Sequence, residues 1–131
     1  MNIYSIEEEI VKLYVIKNKQ ERILWELRNR RKRESVFWRF AGPNQFKTEC
    51  LQPIEYTTCE ELEKLLSIHS ETREVYYIGT SGIGVLPIQQ AVRNVHMGEI
   101  CIVYCGNGFG YYQGEQAYGT HPRFLLVSED M

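Results

Sequence analysis

The chain has 131 residues, 44% of them hydrophobic, with a net charge of −2, enough apolar material for one compact domain with a real core. No apolar run approaches the roughly 18 residues of a membrane span, and the amino terminus carries no signal-peptide pattern, so a cytoplasmic location is expected. Asp130 is the only aspartate, which removes the usual ligands of two-metal nucleases, Asp-based phosphoryl transfer and calcium loops; no metal and no cofactor is expected.

Ser5-Ile6-Glu7-Glu8 reads as a capping box. Helical patterning then runs without Gly or Pro to about Arg33, roughly 43 Å at about 1.5 Å per residue. Ile6, Ile10, Leu13, Ile16, Ile23 and Leu27 recur in threes and fours, widened by Tyr14, Val15, Leu24 and Trp25, with Gln20 falling in a gap of the stripe. The helix opens on Glu7-Glu8-Glu9 and ends on Arg28-Asn29-Arg30-Arg31-Lys32-Arg33, a polarity that suits the macrodipole at both ends. Two copies laid antiparallel would match acid to base. Residues 1–34 are therefore expected to be a protruding amphipathic helix that forms a homodimer or higher homo-oligomer; the alternative is a helix wrapped on its own domain. Residues 1–34 carry nine basic and six acidic side chains, and residues 35–131 six basic and eleven acidic, so an acidic body follows a basic helix end.

Residues 35–41 and 45–51 flank a Gly42-Pro43-Asn44 turn, are rich in aromatic and β-branched side chains, and are expected to form a hairpin. Thr57-Thr58-Cys59-Glu60-Glu61 starts a short helix with Leu62, Leu65 and Leu66 on its buried face, ending near Ser67. A strand at Glu74–Ile78 enters the glycine-rich stretch 79–84, and Pro87 opens a helix covering Ile88 to about Val95. Strands are expected from Ile100 to Tyr104, from Phe109 to Gln113 after a Gly106-Asn107-Gly108 turn, and from Arg123 to Ser128. The fold class is α+β: the long helix on a small β-sheet body, residues 35–131, with two short helices.

Glycines between strand and helix let amides approach an anion, and the following helix end adds partial positive charge, so Thr80, Ser81, Gly82 and Gly84 are candidate contacts for a phosphate or carboxylate. Walker A and dinucleotide signatures are absent: no lysine follows Lys64, and the order is Gly-x-x-Gly-x-Gly. A sharp turn needing positive φ is the structural alternative. A second cluster spans Gly108 to Arg123, and with Asn107 of the preceding turn, Phe109, Tyr111, His121 and Arg123 are candidate recognition residues, since aromatic rings stack on a purine or grip a protein surface. Arg30, Arg31 and Arg33 complete the ligand set. An acidic body opposes a long duplex nucleic acid.

Cys50, Cys59, Cys101 and Cys105 lack Cys-x2-Cys spacing and read as reduced structural thiols. The one nucleophilic arrangement worth naming is Cys105 with His96 or His121. The leading expectation is a non-catalytic oligomeric protein that sequesters a small nucleotide-like anion, as a signal sponge or an inhibitor of a defence or signalling pathway. The alternatives are a protein inhibitor that blocks a partner enzyme by contact, and a small Cys/His hydrolase or transferase.

Overall fold

The computed structural model describes residues 3–55, 58–116 and 121–128; Thr57, residues 117–120 of the tyrosine-rich cluster and Asp130 lie outside it. The fold is α+β. Among the described residues six strands, β1 (Leu51–Pro53), β2 (Glu74–Gly79), β3 (Gly82–Pro87), β4 (Cys101–Gly106), β5 (Phe109–Gln113) and β6 (Arg123–Val127), form one antiparallel sheet in the order β1-β6-β5-β4-β2-β3. Alternation along β4 sends Ile102 and Tyr104 into one core and Cys101 and Val103 into the other, so both faces of the sheet are covered.

The amino-terminal segment covers the first face, and it differs from the single long helix expected. It divides into α1 (Ile3–Tyr14), α2 (Lys17–Arg28) and the single turn α3 (Arg30–Arg33). α1 is already helical at Ile3, so Ser5 lies inside its first turn rather than capping it. At the first break Ile16 is extended (φ −58°, ψ 144°), and its amide donates to the Gln45 carbonyl at 2.9 Å while Lys47 donates to the Tyr14 carbonyl at 2.7 Å. The β-branched pair Val15-Ile16 weakens the helix there, and strand-like bonding with residues 45–47 replaces the lost ladder. Gln20 donates to the freed Val15 carbonyl at 2.9 Å, which explains a polar residue in the gap of the stripe. At the second break the Asn29 side chain accepts from the Arg31 and Lys32 amides and caps α3.

Folding back spends the stripe on the chain's own sheet. Ile10, Val11, Tyr14, Ile23 and Leu27 are buried with Tyr76, Ile78, Ile102, Tyr104 and Tyr112. The acid-to-base matching expected between two antiparallel copies is made within one chain: Glu8 pairs with Arg28 at 3.2 Å and Glu7 with Arg33 at 2.5 Å.

Residues 36–50 form three 3-10 turns (Val36–Phe40, Pro43–Gln45, Thr48–Cys50) where a hairpin was expected. Val36, Phe37 and Phe40 share the buried side at helical rather than alternating spacing, and the tilted rings of Phe40, Phe46 and Tyr112 pack in series with centroids 5.1 and 4.6 Å apart. β1 follows the third turn.

The opposite face carries α4 (Cys59–His69), capped by Thr58 as its spacing to Glu61 predicts, and α5 (Ile88–His96). Leu62, Leu66, Ala91, Val92 and Val95 pack there on Val75, Tyr77, Val103 and Tyr111. Among the described residues no helix is long and apolar enough to cross a membrane.

Candidate functional site

The expected glycine loop is a two-residue β-turn. Gly79 pairs with Gly82 across Thr80-Ser81, and the chain returns through β3 before α5 begins, so the start of that helix lies about 16 Å from the turn at about 3.3 Å per strand residue. Gly82 and Gly84 hold φ of 148° and 153°, and nothing lies within 4 Å of a Cβ built on either, so these glycines serve backbone shape rather than close approach to a ligand. The Ser81 amide donates to the Glu99 carboxylate at 3.1 Å, and the Thr80 hydroxyl bridges the Ile100 backbone. A resident carboxylate occupies the donor that an anion was expected to take.

The remaining candidates divide between the two ends of the sheet. Register places Gln113 and Arg123 at the Gly79 end, and His121 rests its Nδ1 2.9 Å from the Gly114 carbonyl nearby. Asn107 and Phe109 sit at the other end, about 13 Å along the strands at about 3.3 Å per residue. Phe109 is buried and stacks on His69 with centroids 3.6 Å apart; Tyr111 is buried with its hydroxyl on Gln113 at 3.1 Å. These rings are core rather than exposed platforms. Arg30 and Arg31 are exposed on α3, whereas Arg33 is turned inward onto Glu7. The structure therefore does not assemble the expected ligand set.

Nor does it assemble the Cys/His arrangement. Cys105 lies near the Asn107 end of β4, while His96 closes α5 and His121 lies by Gly114, both at the Gly79 end. Burial pushes the Cys105 thiol up to about 12, away from the thiolate that nucleophilic attack needs.

What the fold does build is an open groove of about 860 Å³ at the Asn107 end, between α1 and the ends of β2, β3 and β4. Ile6 and Leu13 of α1 form one apolar wall and Val85 of β3 the other, and the rings of Tyr76 and Tyr104 lie between. Among the described residues three carboxylates, Glu9, Glu71 and Glu74, line it, and no Lys, Arg or His does. None of the three has an ion-pair partner among the described residues.

The tyrosines are fixed by what they touch. The Tyr76 hydroxyl donates to Glu7, which also accepts two bonds from the Arg33 guanidinium at 2.8 and 2.5 Å. The Tyr104 hydroxyl donates to Glu9 and accepts from the Gly108 amide at 3.1 Å, tying α1 to the Asn107-Gly108 turn. Burial first, and the adjoining carboxylate second, raise both phenols above their ordinary range, so they remain neutral donors at physiological pH. The same Glu7 carboxylate raises the Arg33 guanidinium further, locking its positive charge.

Glu9, Glu71, Glu74, Tyr76 and Tyr104 are absent from the site expected from sequence. Glu9 had a sufficient explanation in the macrodipole, and its partner Tyr104 lies 95 residues away, with no local signature to join them. Among the described residues no three His, Cys, Asp or Glu side chains are grouped to hold one metal ion. Comparison with protein-family models, characterised proteins and solved structures finds no match to this chain.

Proposed function

We propose that the chain is a binding protein that acts by contact, holding a lysine- or arginine-bearing segment of a partner protein in the groove beside α1. The observation that carries this is the set of three carboxylates without ion-pair partners among the described residues, lining a groove with apolar walls. Alternating apolar and basic side chains suit both features at once: the apolar ones cover Ile6, Leu13 and Val85, and the cations meet the carboxylates and tyrosine faces. Of the functions weighed from sequence, this is the one that blocks or captures a partner protein. A nucleotide-like anion would meet like charge in this groove, and the residues expected to bind it lie apart.

The test uses a fluorescein-labelled octapeptide of alternating leucine and arginine, followed by anisotropy. Wild-type protein is expected to bind it, and a Glu9→Gln, Glu71→Gln, Glu74→Gln triple variant to bind at least tenfold more weakly, since each partly exposed ion pair contributes up to about 1 kcal/mol. Equal affinity in the two proteins overturns the proposal. Sedimentation of the same samples reports whether the chain also associates with itself.

A further inference from the structure

Charge is divided more sharply at residues 17–39 than between residues 1–34 and 35–131. Residues 17–39 carry nine basic and three acidic side chains, a net of +6, against six basic and fourteen acidic elsewhere. The same segment holds both tryptophans of the chain, Trp25 and Trp38, which are 49% and 56% exposed. Tryptophan is usually among the more buried side chains, so two half-exposed indoles on the one strongly basic segment require an explanation.

The folded geometry joins them into one surface. Arg22 lies over the Trp25 ring at 5.3 Å and bonds Glu26 at 3.3 Å. From the other side Arg39 grips Glu26 with bonds of 3.0 and 2.5 Å. Glu26 is 6% exposed, so it lies beneath the two guanidinium groups and neutralises only one of them. Beyond Arg39 a cleft of about 390 Å³ is lined by Trp38, Lys32 and Ser35 as well as by this pair, and Trp38 leans on Phe37 with centroids 4.9 Å apart. Arg30 and Arg31 stand exposed beside Lys32 on α3.

We infer that this face, formed by α2, α3 and the turn at Val36–Phe40, is a binding site for single-stranded nucleic acid. Cations alternate here with aromatic planes, the combination that takes a flexible polyanion whose bases stack. In the cleft, Lys32 and Arg39 supply phosphate donors next to an indole on which the neighbouring base lies. An acidic protein segment would satisfy the charges but would leave the two indole faces without stacking partners. A rigid duplex laid here would extend over the acidic remainder of the protein, whereas a single strand can follow the basic face alone.

Because both tryptophans lie on this face, intrinsic fluorescence reports the event directly. A twelve-residue oligothymidylate titrated into the full chain at low salt is expected to quench the emission, with affinity falling steeply as salt is raised. Trp38→Ala and Trp25→Ala are each expected to weaken anisotropy-monitored binding of the labelled oligonucleotide by roughly tenfold. Arg30→Gln combined with Arg31→Gln is expected to weaken it and to flatten the salt dependence. Trp38→Phe, which keeps a ring, is expected to retain most of the affinity, separating loss of stacking from loss of fold. The groove triple variant is expected to bind the oligonucleotide at least as well as wild type, so this site and the groove fail independently. The inference is overturned by absence of binding at low salt, by tryptophan variants that bind like wild type, or by a poly-glutamate peptide that quenches as strongly as the oligonucleotide, which would assign the face to an acidic protein.

Discussion

The helical layer of residues 3–50 and the pair α4 and α5 cover opposite faces of one sheet by different means. On the α4–α5 side, Leu62, Leu66, Ala91, Val92 and Val95 meet a valine- and tyrosine-lined surface, and contact is mostly apolar and non-directional. On the amino-terminal side an apolar core is overlaid by directional bonds: Arg33 and Tyr76 on Glu7, Tyr104 on Glu9, Arg39 and Arg22 on Glu26. Buried ion pairs gain little net stability because desolvation offsets attraction, but breaking one costs a great deal, so they select a particular placement. The proposed groove and the basic tryptophan face both belong to the directional layer. Binding surfaces need fixed orientation, and here α1 and α2 are set on the sheet by charge and hydrogen bonds as well as by grease.

The sharpest way to break the comparison is Arg33→Ala. Glu7 is only 1% exposed, and its carboxylate would be left without a cation, an expected loss of about 3–5 kcal/mol in urea denaturation. Replacing both partners, Glu7→Leu with Arg33→Met, removes the buried charge altogether and is expected to recover most of that loss. A cost below about 1 kcal/mol for Arg33→Ala would mean the pair places nothing.

Leu66→Ala probes the other layer. Its side chain is fully buried between α4 and the sheet, and truncation is expected to cost about 3 kcal/mol, through lost transfer energy and a residual cavity. The cost should be insensitive to salt between 0.05 and about 1 M, whereas ionic ties at the partly exposed Arg39 should weaken over that range. Salt-sensitive losses at both positions would erase the distinction between the layers.

Alkali tests a property the two layers share. Tyr76 and Tyr104 on one face and Tyr77 and Cys101 on the other are held neutral by burial, the Cys101 thiol being pushed up to about 12. A folded value above the unfolded one means that stability is fully present below the unfolded value, near 8.5 for a thiol, and is lost as pH rises toward the folded value. Cys101 alone should therefore remove on the order of 1 kcal/mol by pH 10, and Cys101→Ser should shift the alkaline fall in melting temperature to higher pH. A melting temperature flat from pH 8 to 11 would mean these groups titrate freely in the folded protein.

The two layers also differ in how far residue patterns reveal them. α4 and α5 follow from Thr58, Pro87 and the leucine spacing; β2, β4, β5 and β6 follow from alternation and the Asn107-Gly108 turn, where φ of 54° and 78° matches a tight hairpin. These are local rules. The amino-terminal layer obeys non-local ones as well: the period of the stripe continues through the β-branched Val15-Ile16, and pairing with residues 45–47 takes up the backbone groups where the helix ends. Likewise β3 is hidden in the stretch expected to be a glycine loop, because only pairing with β2 makes Gly82–Pro87 a strand. The groove was illegible for the same reason, since its carboxylates come from α1, from the segment before β2, and from β2 itself.

The smallest expected effect on stability sits within the directional layer and separates its scaffold from its surface. Trp25 and Trp38 are about half exposed, and neither indole nitrogen carries a hydrogen bond among the described contacts, so truncating either removes part of an apolar contact and opens no cavity. Trp25→Ala and Trp38→Ala should each cost about 1 kcal/mol or less, well under the 3–5 kcal/mol typical of a buried aromatic, with the urea slope unchanged. Loss of Trp38 removes its tilted contact with Phe37 but leaves Phe37 and Phe40 in the core, so the turn at Val36–Phe40 should persist. Near-wild-type stability together with lost oligonucleotide binding would place these rings on a working surface. A cost near 3 kcal/mol would instead make Trp38 part of the scaffold, and the difference between the two layers would then extend to their outermost side chains.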